Sequence, residues 1–393
     1  MAIKIYHQVG HFSNWNIESY TNDKCGDGLI FSPLHQNKSQ LEKIDDKLKA
    51  HSLFDPQYYL PNSQKKKLST YPFFPEEISG GFSTIDFTSI ALESARQCVA
   101  FQIEQNYEKI IIPARFIDQM SSDYLEQQEA YSVYPFLQAL GEQAVSKPIY
   151  LTLPLTSHMI EDDGFRKSIL NWVTGFPEID GVYILVNHER NTKQIQSESF
   201  LDAYLEMLTD LSSVELGLII GHTNTESLLF SLIDDSVLTF GSFENTRIFS
   251  VDKFVSSDEA KRGPKARIYL PGLLNWVQFT QAREIKNEEP ELWSNIYQPT
   301  NYGNHVFNLA VEPYFNQPNL YKHHFICFYD TISTLSKLDV VDRYKFLKTK
   351  IQEAIDYHKQ VNAIPINLDR HGNGEHLEHW LNCINRYYRK YLK

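Results

Sequence analysis

The amino-acid sequence predicts an α/β protein built as a (β/α)8 barrel of the TIM type, with a C-terminal helical extension. Eight short extended segments precede residue 242, and each is followed by a helical pattern or a loop. Five of these segments are nearly continuous apolar runs, a pattern typical of parallel strands that are buried on both faces. Eight such units in about 270 residues match the size of a barrel of this type.

The predicted strands are rich in β-branched and aromatic residues, and polar or turn-forming residues follow them. A helix that begins at a cap on Asn37 or Ser39 is expected to run to about Ala50. The predicted strands are IKIYHQV (3–9), GLIFSP (28–33), HSLFDP (51–56), KIIIPAR (109–115) and the runs at 149–155, 182–187, 217–221 and 237–241.

An open, doubly wound parallel sheet is the alternative fold. That fold usually has a glycine-rich first turn of the form GxGxxG, and the sequence lacks one. Strict alternation of strand and helix implies parallel pairing with right-handed crossovers in either case. Residues 3–9 or residues 267–270 could supply the strand that closes the barrel, and a helix is expected soon after residue 270.

The pattern predicts a division of the chain near residue 300. Residues 1–300 would form the barrel, and residues 301–393 would form helices packed on it. Two long loops interrupt the barrel, at residues 56–88 and 252–266. Long loops in a compact domain commonly act as lids or binding loops.

Composition limits the classes of function. The formal net charge of −12 disfavours nucleic-acid binding, although a local basic groove would still be compatible with it. The four cysteines are far apart and form no metal-binding motif, which indicates reduced thiols. The sequence shows no signal peptide and no apolar run long enough to span a bilayer, so we expect a cytoplasmic protein without membrane contact.

The carboxyl ends of the strands should carry the active site if the barrel is correct. Three carboxylates follow different strands: Asp55, Glu189 and Glu244. Such groups can share acid and base roles when their surroundings separate their pKa values. His188 and His222 are further acid–base candidates. The alternative is that each carboxylate caps a helix or pairs with a nearby arginine.

The loops after the seventh and eighth strands, IIGHTNTES and TFGSFENTR, predict an anion site. Barrels often bind phosphate there through backbone N–H groups of glycine-containing loops. Ordinary strand-to-helix turns are the alternative. The candidate ligand-binding residues in these loops and after the fourth strand are Gly221, Thr223, Asn224, Gly241, Ser242, Arg247 and Arg115.

The sequence predicts no obligatory cofactor. A divalent metal held by two histidines and a carboxylate is conceivable at the strand ends, but no HxH or HExxH spacing supports it. The pairs in KHHF (323–324) and EHLEH (His376 and His379) lack a further ligand at a known spacing. An exposed polar helix is the expected setting for them.

The tetrapeptide SGGF (79–82) resembles a loop of the tRNA-guanine transglycosylase family, barrel enzymes that exchange a base in nucleic acid. In that family an aspartate precedes these four residues, whereas Ile78 stands there in this sequence. The family's Cys/His zinc site is also missing. The resemblance implies a distant barrel that acts on a nucleobase as one further alternative.

These observations together predict an enzyme that uses carboxylates for acid–base chemistry at the strand ends, as a hydrolase, a lyase or a glycosyl-transfer enzyme. Its substrate would be small and polar, and phosphorylated or nucleoside-like compounds are the options. The aromatic residues of DPQYYLP (55–61) would form the cleft wall. The alternative is an inactive barrel that serves as a binding or assembly subunit. A homo-oligomer or a protein partner would then use the C-terminal helices.

Overall fold

The structure is a computed structural model that describes residues 3–60, 63–74, 84–119, 121–255 and 263–393, with side chains described from residue 91 onward in the third range. Within these ranges, eight parallel strands form one sheet. They are β1 (Lys4–Gln8), β2 (Gly28–Phe31), β3 (Ser52–Phe54), β4 (Ile110–Ile112), β5 (Ile149–Thr156), β6 (Gly181–Asn187), β7 (Gly217–Ile220) and β8 (Ser236–Gly241).

The pairing of β1 with β8 gives the sheet its barrel shape. Lys4 lies opposite Val237 and Gln8 lies opposite Gly241, so the first and last strands run side by side. The other strands follow in chain order around the ring, and the seam lies between β3 and β4. At this seam the Glu108 N–H donates to the Ser52 carbonyl over 2.9 Å. The barrel is therefore nearly closed, and the predicted (β/α)8 fold is confirmed.

Strand burial explains why the apolar runs are nearly continuous. Every residue of β2, β3, β4 and β8 is buried. One face of each strand points into the barrel and the other packs under helices, so alternation with polar residues is lost.

Helices and short helical turns connect the strands. Two helices, α2 (Lys38–Leu41) and α3 (Asp46–Lys49), occupy the region where the sequence predicted one helix up to Ala50. The side chain of Asp45 accepts the Lys47 N–H over 2.8 Å and caps a new helix, so the first helix ends early. The helices are α1 (Ser13–Thr21), α2 (Lys38–Leu41), α3 (Asp46–Lys49), α4 (Thr84–Glu104), α5 (Tyr124–Gln128), α6 (Tyr134–Glu142), α7 (Ser157–Glu161), α8 (Asp163–Val173), α9 (Glu198–Ser213), α10 (Ser227–Phe230) and α11 (Glu244–Arg247), with 3-10 turns at Leu68–Thr70 and Val251–Phe254 and a π turn at Glu129–Val133.

A two-stranded antiparallel hairpin follows the barrel. It consists of β9 (Arg267–Leu270) and β10 (Asn275–Gln278), joined by a 3-10 turn at Pro271–Leu273. Residues 267–270 therefore pair with β10, and β1 closes the barrel. The helix predicted after residue 270 begins only at Phe279, because Leu274 takes a left-handed conformation with φ +48° and reverses the chain.

The C-terminal helices pack against the outside of the barrel. Trp380 is fully buried, and its indole N–H donates to the Ile195 carbonyl over 2.9 Å. His323, His324 and His376 are also buried, so the expectation that they lie on exposed helices was wrong. Their neutral rings pack against aromatic neighbours, as the His324 ring does at 4.6 Å from Trp276. The helices are α12 (Phe279–Glu288), α13 (Pro290–Ile296), α14 (Asn301–Phe307), α15 (Pro318–Leu335), α16 (Val340–Asn362) and α17 (His376–Tyr387), followed by a π turn at Tyr388–Leu392.

Two further observations concern general properties of the chain. All four cysteines lie in the described ranges, and each is buried with a free thiol. Across the described helices, none combines the length and apolar character that crossing a bilayer requires. The division of the chain near residue 300 stays a prediction.

Trp380→Ala should lower the free energy of unfolding by about 3–5 kcal/mol, because it removes a fully buried aromatic side chain and leaves a cavity. Urea unfolding measures the change. Tyr314→Ala is the matched control, since Tyr314 is 82% exposed, and it should change stability by no more than about 0.5 kcal/mol. A loss below about 1 kcal/mol for Trp380→Ala would contradict the packing of α17 on the barrel.

Candidate functional site

Residues 248–255 leave β8 and pass over the carboxyl ends of the strands; we call them the crossing segment. Phe249 forms a parallel bridge with Asn187 at the end of β6. The Phe249 ring centroid lies 5.7 Å from that of His222, after β7, and 5.1 Å from that of Tyr59, after β3. The crossing segment therefore touches opposite sides of the barrel mouth.

Asp55, directly after β3, is fully buried below this segment. Its Oδ1 accepts hydrogen bonds from the Tyr59 hydroxyl (2.9 Å) and the Gln57 N–H (3.1 Å). Its Oδ2 has no partner among the described residues. Burial raises the pKa of the carboxyl to about 6, although the hydrogen bonds and the charge of Lys253 act in the opposite direction.

Lys253 in the crossing segment points its ammonium toward the barrel mouth. Its Nζ lies 5.3 Å from the ring centre of Phe249 and 5.4 Å from that of Phe254. Loss of hydration lowers the pKa of Lys253 to about 7, and only the nearby Asp55 carboxylate opposes this effect. The residue as a whole keeps some exposure to solvent.

His222, after β7, completes this group, and we call Asp55, His222 and Lys253 the central cluster. The His222 Nε2 lies 3.3 Å from Lys253 Nζ, a distance at which the ammonium can donate to the imidazole lone pair. Burial holds the pKa of His222 well below its usual value, and the charge of Lys253 adds to the effect. The imidazole is therefore neutral at neutral pH, and its Nε2 can accept a hydrogen bond from Lys253.

The backbone near the central cluster is strained at two residues. Gln57 has φ +58° and His222 has φ +52°, although neither is a glycine. Such conformations cost about 1–3 kcal/mol each and concentrate at functional sites. At both residues the unusual turn places a polar side chain at the barrel mouth.

A second group of charges surrounds Arg247 at the ends of β6, β7 and β8. Arg247 is 7% exposed, and its guanidinium lies 4.1 Å from the ring centre of Trp276 in β10. Its Nε and Nη1 have no hydrogen-bond partner in the described parts of the chain. Burial lowers its pKa to about 10, which leaves it charged at neutral pH.

The charges around Arg247 form ion pairs with one another. Lys193 pairs with Glu244, Arg267 pairs with Asp369, and Arg190 pairs with Glu226 over 3.0 Å. Three cations thus meet three anions, and Arg247 adds one positive charge. We call these seven residues the outer cluster: Arg190, Lys193, Glu226, Glu244, Arg247, Arg267 and Asp369.

The structure thus brings two of the five predicted acid–base residues, Asp55 and His222, into one group. Glu244 lies in the outer cluster as the partner of Lys193. Glu189 is exposed to solvent. His188 is partly buried with its ring 4.5 Å from that of Phe200, and burial lowers its pKa to about 4.

The predicted ligand-binding glycines are packed against side chains. A Cβ on Gly221 would lie 2.4 Å from the Tyr183 ring, and one on Gly241 would lie 2.2 Å from Thr246 Oγ1. The absence of a side chain at these glycines thus permits close packing of the strand ends.

The polar ligand-binding candidates differ in how far their hydrogen bonds are satisfied. The Thr223 hydroxyl donates to the Thr239 carbonyl over 2.7 Å. The Asn224 amide donates to the Lys193 carbonyl over 3.1 Å. The Ser242 hydroxyl is buried and has no partner within the described ranges. The Arg115 guanidinium lies 5.3 Å from the ring centre of Tyr131.

Two further expectations concern metal binding and the tetrapeptide SGGF. No cluster of three or more His, Cys, Asp or Glu residues suited to a metal occurs among the described residues. SGGF (79–82) lies outside the described residues. A cavity of about 440 Å³ lies away from the strand ends, between α16 and α17.

The sequence analysis missed Lys253 and the cations of the outer cluster other than Arg247. Lys253 lies in the loop at 252–266, whose length was the only signal of a role. Lys193 and Trp276 carried no signal, because each reaches its cluster through a contact between distant parts of the chain. The prediction that DPQYYLP contributes aromatic residues agrees with the position of Tyr59, whereas Tyr58 bonds to Phe73 and Ser94 in the core.

Comparisons with known proteins add little. No protein-family model matches the sequence. No curated protein matches it either. A solved structure described as a probable tagatose 6 phosphate kinase from Sinorhizobium meliloti 1021 is similar over 99% of both chains, with 10% identity and a TM-score of 0.34. At this TM-score the similarity carries no argument about fold or function.

Lys253→Met should raise the pKa of Asp55 above about 6, because it removes the positive charge that favours the carboxylate. The rise should be roughly one pH unit or more. Titration of 13C-labelled aspartate by NMR, with Asp55→Asn for assignment, measures it. Lys66→Met, at an exposed lysine of the neighbouring loop, should leave the titration unchanged. An unchanged or lower Asp55 pKa in Lys253→Met would contradict the electrostatic link.

Proposed function

We propose that the protein is an enzyme whose active site is the central cluster of Asp55, His222 and Lys253. It would catalyse proton transfer on a small polar substrate at the carboxyl ends of the barrel strands. The hydrolase, lyase and glycosyl-transfer classes remain the candidate reaction types.

One observation carries this proposal: an acid and a base with pKa values near neutrality lie together where barrel enzymes place their chemistry. A general acid or base works best when its pKa is close to the working pH. Burial raises the pKa of Asp55 and lowers the pKa of Lys253 toward that range. Perturbed groups of this kind are characteristic of functional sites.

The free atoms of the cluster allow distinct roles. Asp55 Oδ2 has no partner in the described ranges and would exchange a proton with substrate. Tyr59 and Gln57 hold the other oxygen and so keep the carboxyl in one orientation. The neutral His222 imidazole would take the proton that Lys253 gives up.

Arg247 in the outer cluster would bind an anionic group of the substrate. The argument is its burial without a hydrogen-bond partner for Nε or Nη1 in the described residues. A buried guanidinium costs free energy unless it is paired, and a phosphate or carboxylate matches its planar fork. Ser242 and Asn224, predicted as ligand-binding residues, remain candidates for further contacts.

An inactive barrel that serves as a binding subunit is the second candidate. Phe249 and Phe254 of the crossing segment place apolar rings at the barrel mouth, as they would if no substrate entered it. The two candidates differ in the expected effect of a change at Asp55, which an enzyme needs and a binding subunit does not.

Asp55→Asn should abolish turnover, because asparagine keeps the shape of the side chain but cannot exchange a proton. Loss of one general acid or base costs on the order of 10²–10⁴-fold in rate. Consumption of a panel of phosphorylated and carboxylated metabolites, followed by NMR, measures turnover. Asp118→Asn, at an exposed aspartate after β4, is the control and should keep wild-type rates. Wild-type turnover in Asp55→Asn would reject the proposed active site.

Arg247→Gln should abolish stabilisation by phosphate. A ligand that binds the folded state alone raises the unfolding temperature in proportion to the logarithm of its concentration. We expect this rise in the wild-type protein and in Arg389→Gln, which changes an exposed arginine of the C-terminal π turn. Equal phosphate responses of Arg247→Gln and wild type would contradict an anion site at Arg247.

A further inference from the structure

We propose that Lys253 is a covalent nucleophile that forms an imine with a carbonyl substrate, so that the substrate class is aldehydes and ketones. The inference rests on the proposed function, because it assigns a specific reaction to the same site. It goes beyond proton transfer, since it names the bond that the lysine makes.

Among the described residues, the Lys253 nitrogen is not held in an ion pair. No carboxylate oxygen of the described residues lies within 4.0 Å of Nζ. The neighbours of the nitrogen are two phenylalanine rings and the imidazole of His222. An apolar surrounding of this kind is one of the established ways in which proteins make a lysine nucleophilic.

The charged and titratable groups around Lys253 act together on its protonation. His222 and His35 are both buried and neutral, because burial holds their pKa values far below the usual range. Asp55 is the carboxylate that stabilises the ammonium, and it does so only in part. The lowered pKa gives Lys253 a larger neutral fraction at pH 7 than an ordinary exposed lysine has.

The side chains of the site can donate and accept each proton that imine formation requires. Lys253 Nζ bonds to the carbonyl carbon, and the π electrons of the carbonyl move to its oxygen, which takes a proton from protonated Asp55. The nitrogen gives a proton to His222 Nε2, which lies 3.3 Å away. The hydroxyl of this carbinolamine leaves as water after it takes a second proton, returned by His222, while the nitrogen lone pair forms the C=N bond. The product is a protonated imine opposite the Asp55 carboxylate, and return of its N–H proton to Asp55 gives the neutral imine. The net reaction joins an amine and a carbonyl and releases one water.

The proposal requires a small carbonyl compound to reach the amine. The Lys253 residue as a whole keeps partial exposure to solvent, whereas Asp55 is fully buried. Asp55 Oδ2, the oxygen without a partner in the described ranges, would donate its proton to the carbonyl oxygen. The outer cluster would favour carbonyl compounds that carry a phosphate or carboxylate.

Reductive trapping tests the proposal. The whole protein is incubated at pH 7 with glyoxylate, glyceraldehyde 3-phosphate or acetaldehyde in the presence of cyanoborohydride, which reduces an imine to a stable secondary amine. Peptide mass spectrometry then gives the rate of modification at each lysine. We expect Lys253 to react at least about tenfold faster than exposed Lys337 with one or more probes, because its neutral fraction is far larger.

Variants separate the roles of the neighbours. Lys253→Arg should remove the fast modification, and Lys337→Arg should leave it unchanged. His222→Asn should slow trapping at Lys253 without changing that at Lys337. The comparison between lysines within the wild-type protein stands even if a variant fails to fold. Modification of Lys253 no faster than that of Lys337 with all three probes would overturn the inference.

The trapping result and the turnover result can fail separately. Loss of turnover in Asp55→Asn combined with no preference for Lys253 would keep the proposed active site and reject the imine. Fast trapping at Lys253 with unchanged turnover in Asp55→Asn would support the nucleophile and reject the acid–base assignment of Asp55.

Discussion

The parallel pairing of β1 with β8 is the constraint on which the rest of the structure depends. It joins β1–β3 to β4–β8 in one eight-stranded sheet, whose edge strands β3 and β4 meet at the seam, so that strand ends far apart in sequence face one another. Asp55 after β3 and His222 after β7 approach the same point for this reason. In an open sheet of the same strands, these two residues would lie along an edge. Burial at the mouth of this nearly closed ring shifts the pKa values of Asp55 and Lys253.

The crossing segment adds a lysine to the residues at the mouth of this ring. It brings Lys253 from the loop after β8 to the middle of the mouth, between two phenylalanine rings. The same rings exclude water, so one short segment supplies both the amine and the apolar surroundings that lower its pKa. The pKa of Asp55 shifts upward, because burial removes hydration from the carboxylate and so favours the neutral acid. The pKa values of both groups therefore shift toward neutrality, the range in which a general acid or base works best.

The two clusters differ in how the protein surroundings stabilise their charges. In the central cluster, few charges remain, and burial sets the protonation states. In the outer cluster, ion pairs compensate the charges, and Arg247 alone adds an uncompensated positive charge over the Trp276 ring. Under the proposed function, the outer cluster would bind an anionic group with a fixed charge, and the central cluster would transfer protons through groups whose charge can change.

The sequence by itself determined the eight strands, the helices between them and the long C-terminal helices, because the period and continuity of apolar residues are local properties. It also predicted Asp55 and His222 as site residues, since both directly follow strands. Tertiary structure decided which candidates meet: Glu244 pairs with Lys193, Glu189 is exposed, and Lys253 joins Asp55. It also decided that residues 267–270 form a hairpin and that His324 is buried. The physical reason is that desolvation and ion pairing sum contributions from segments far apart in the chain, which no local pattern records.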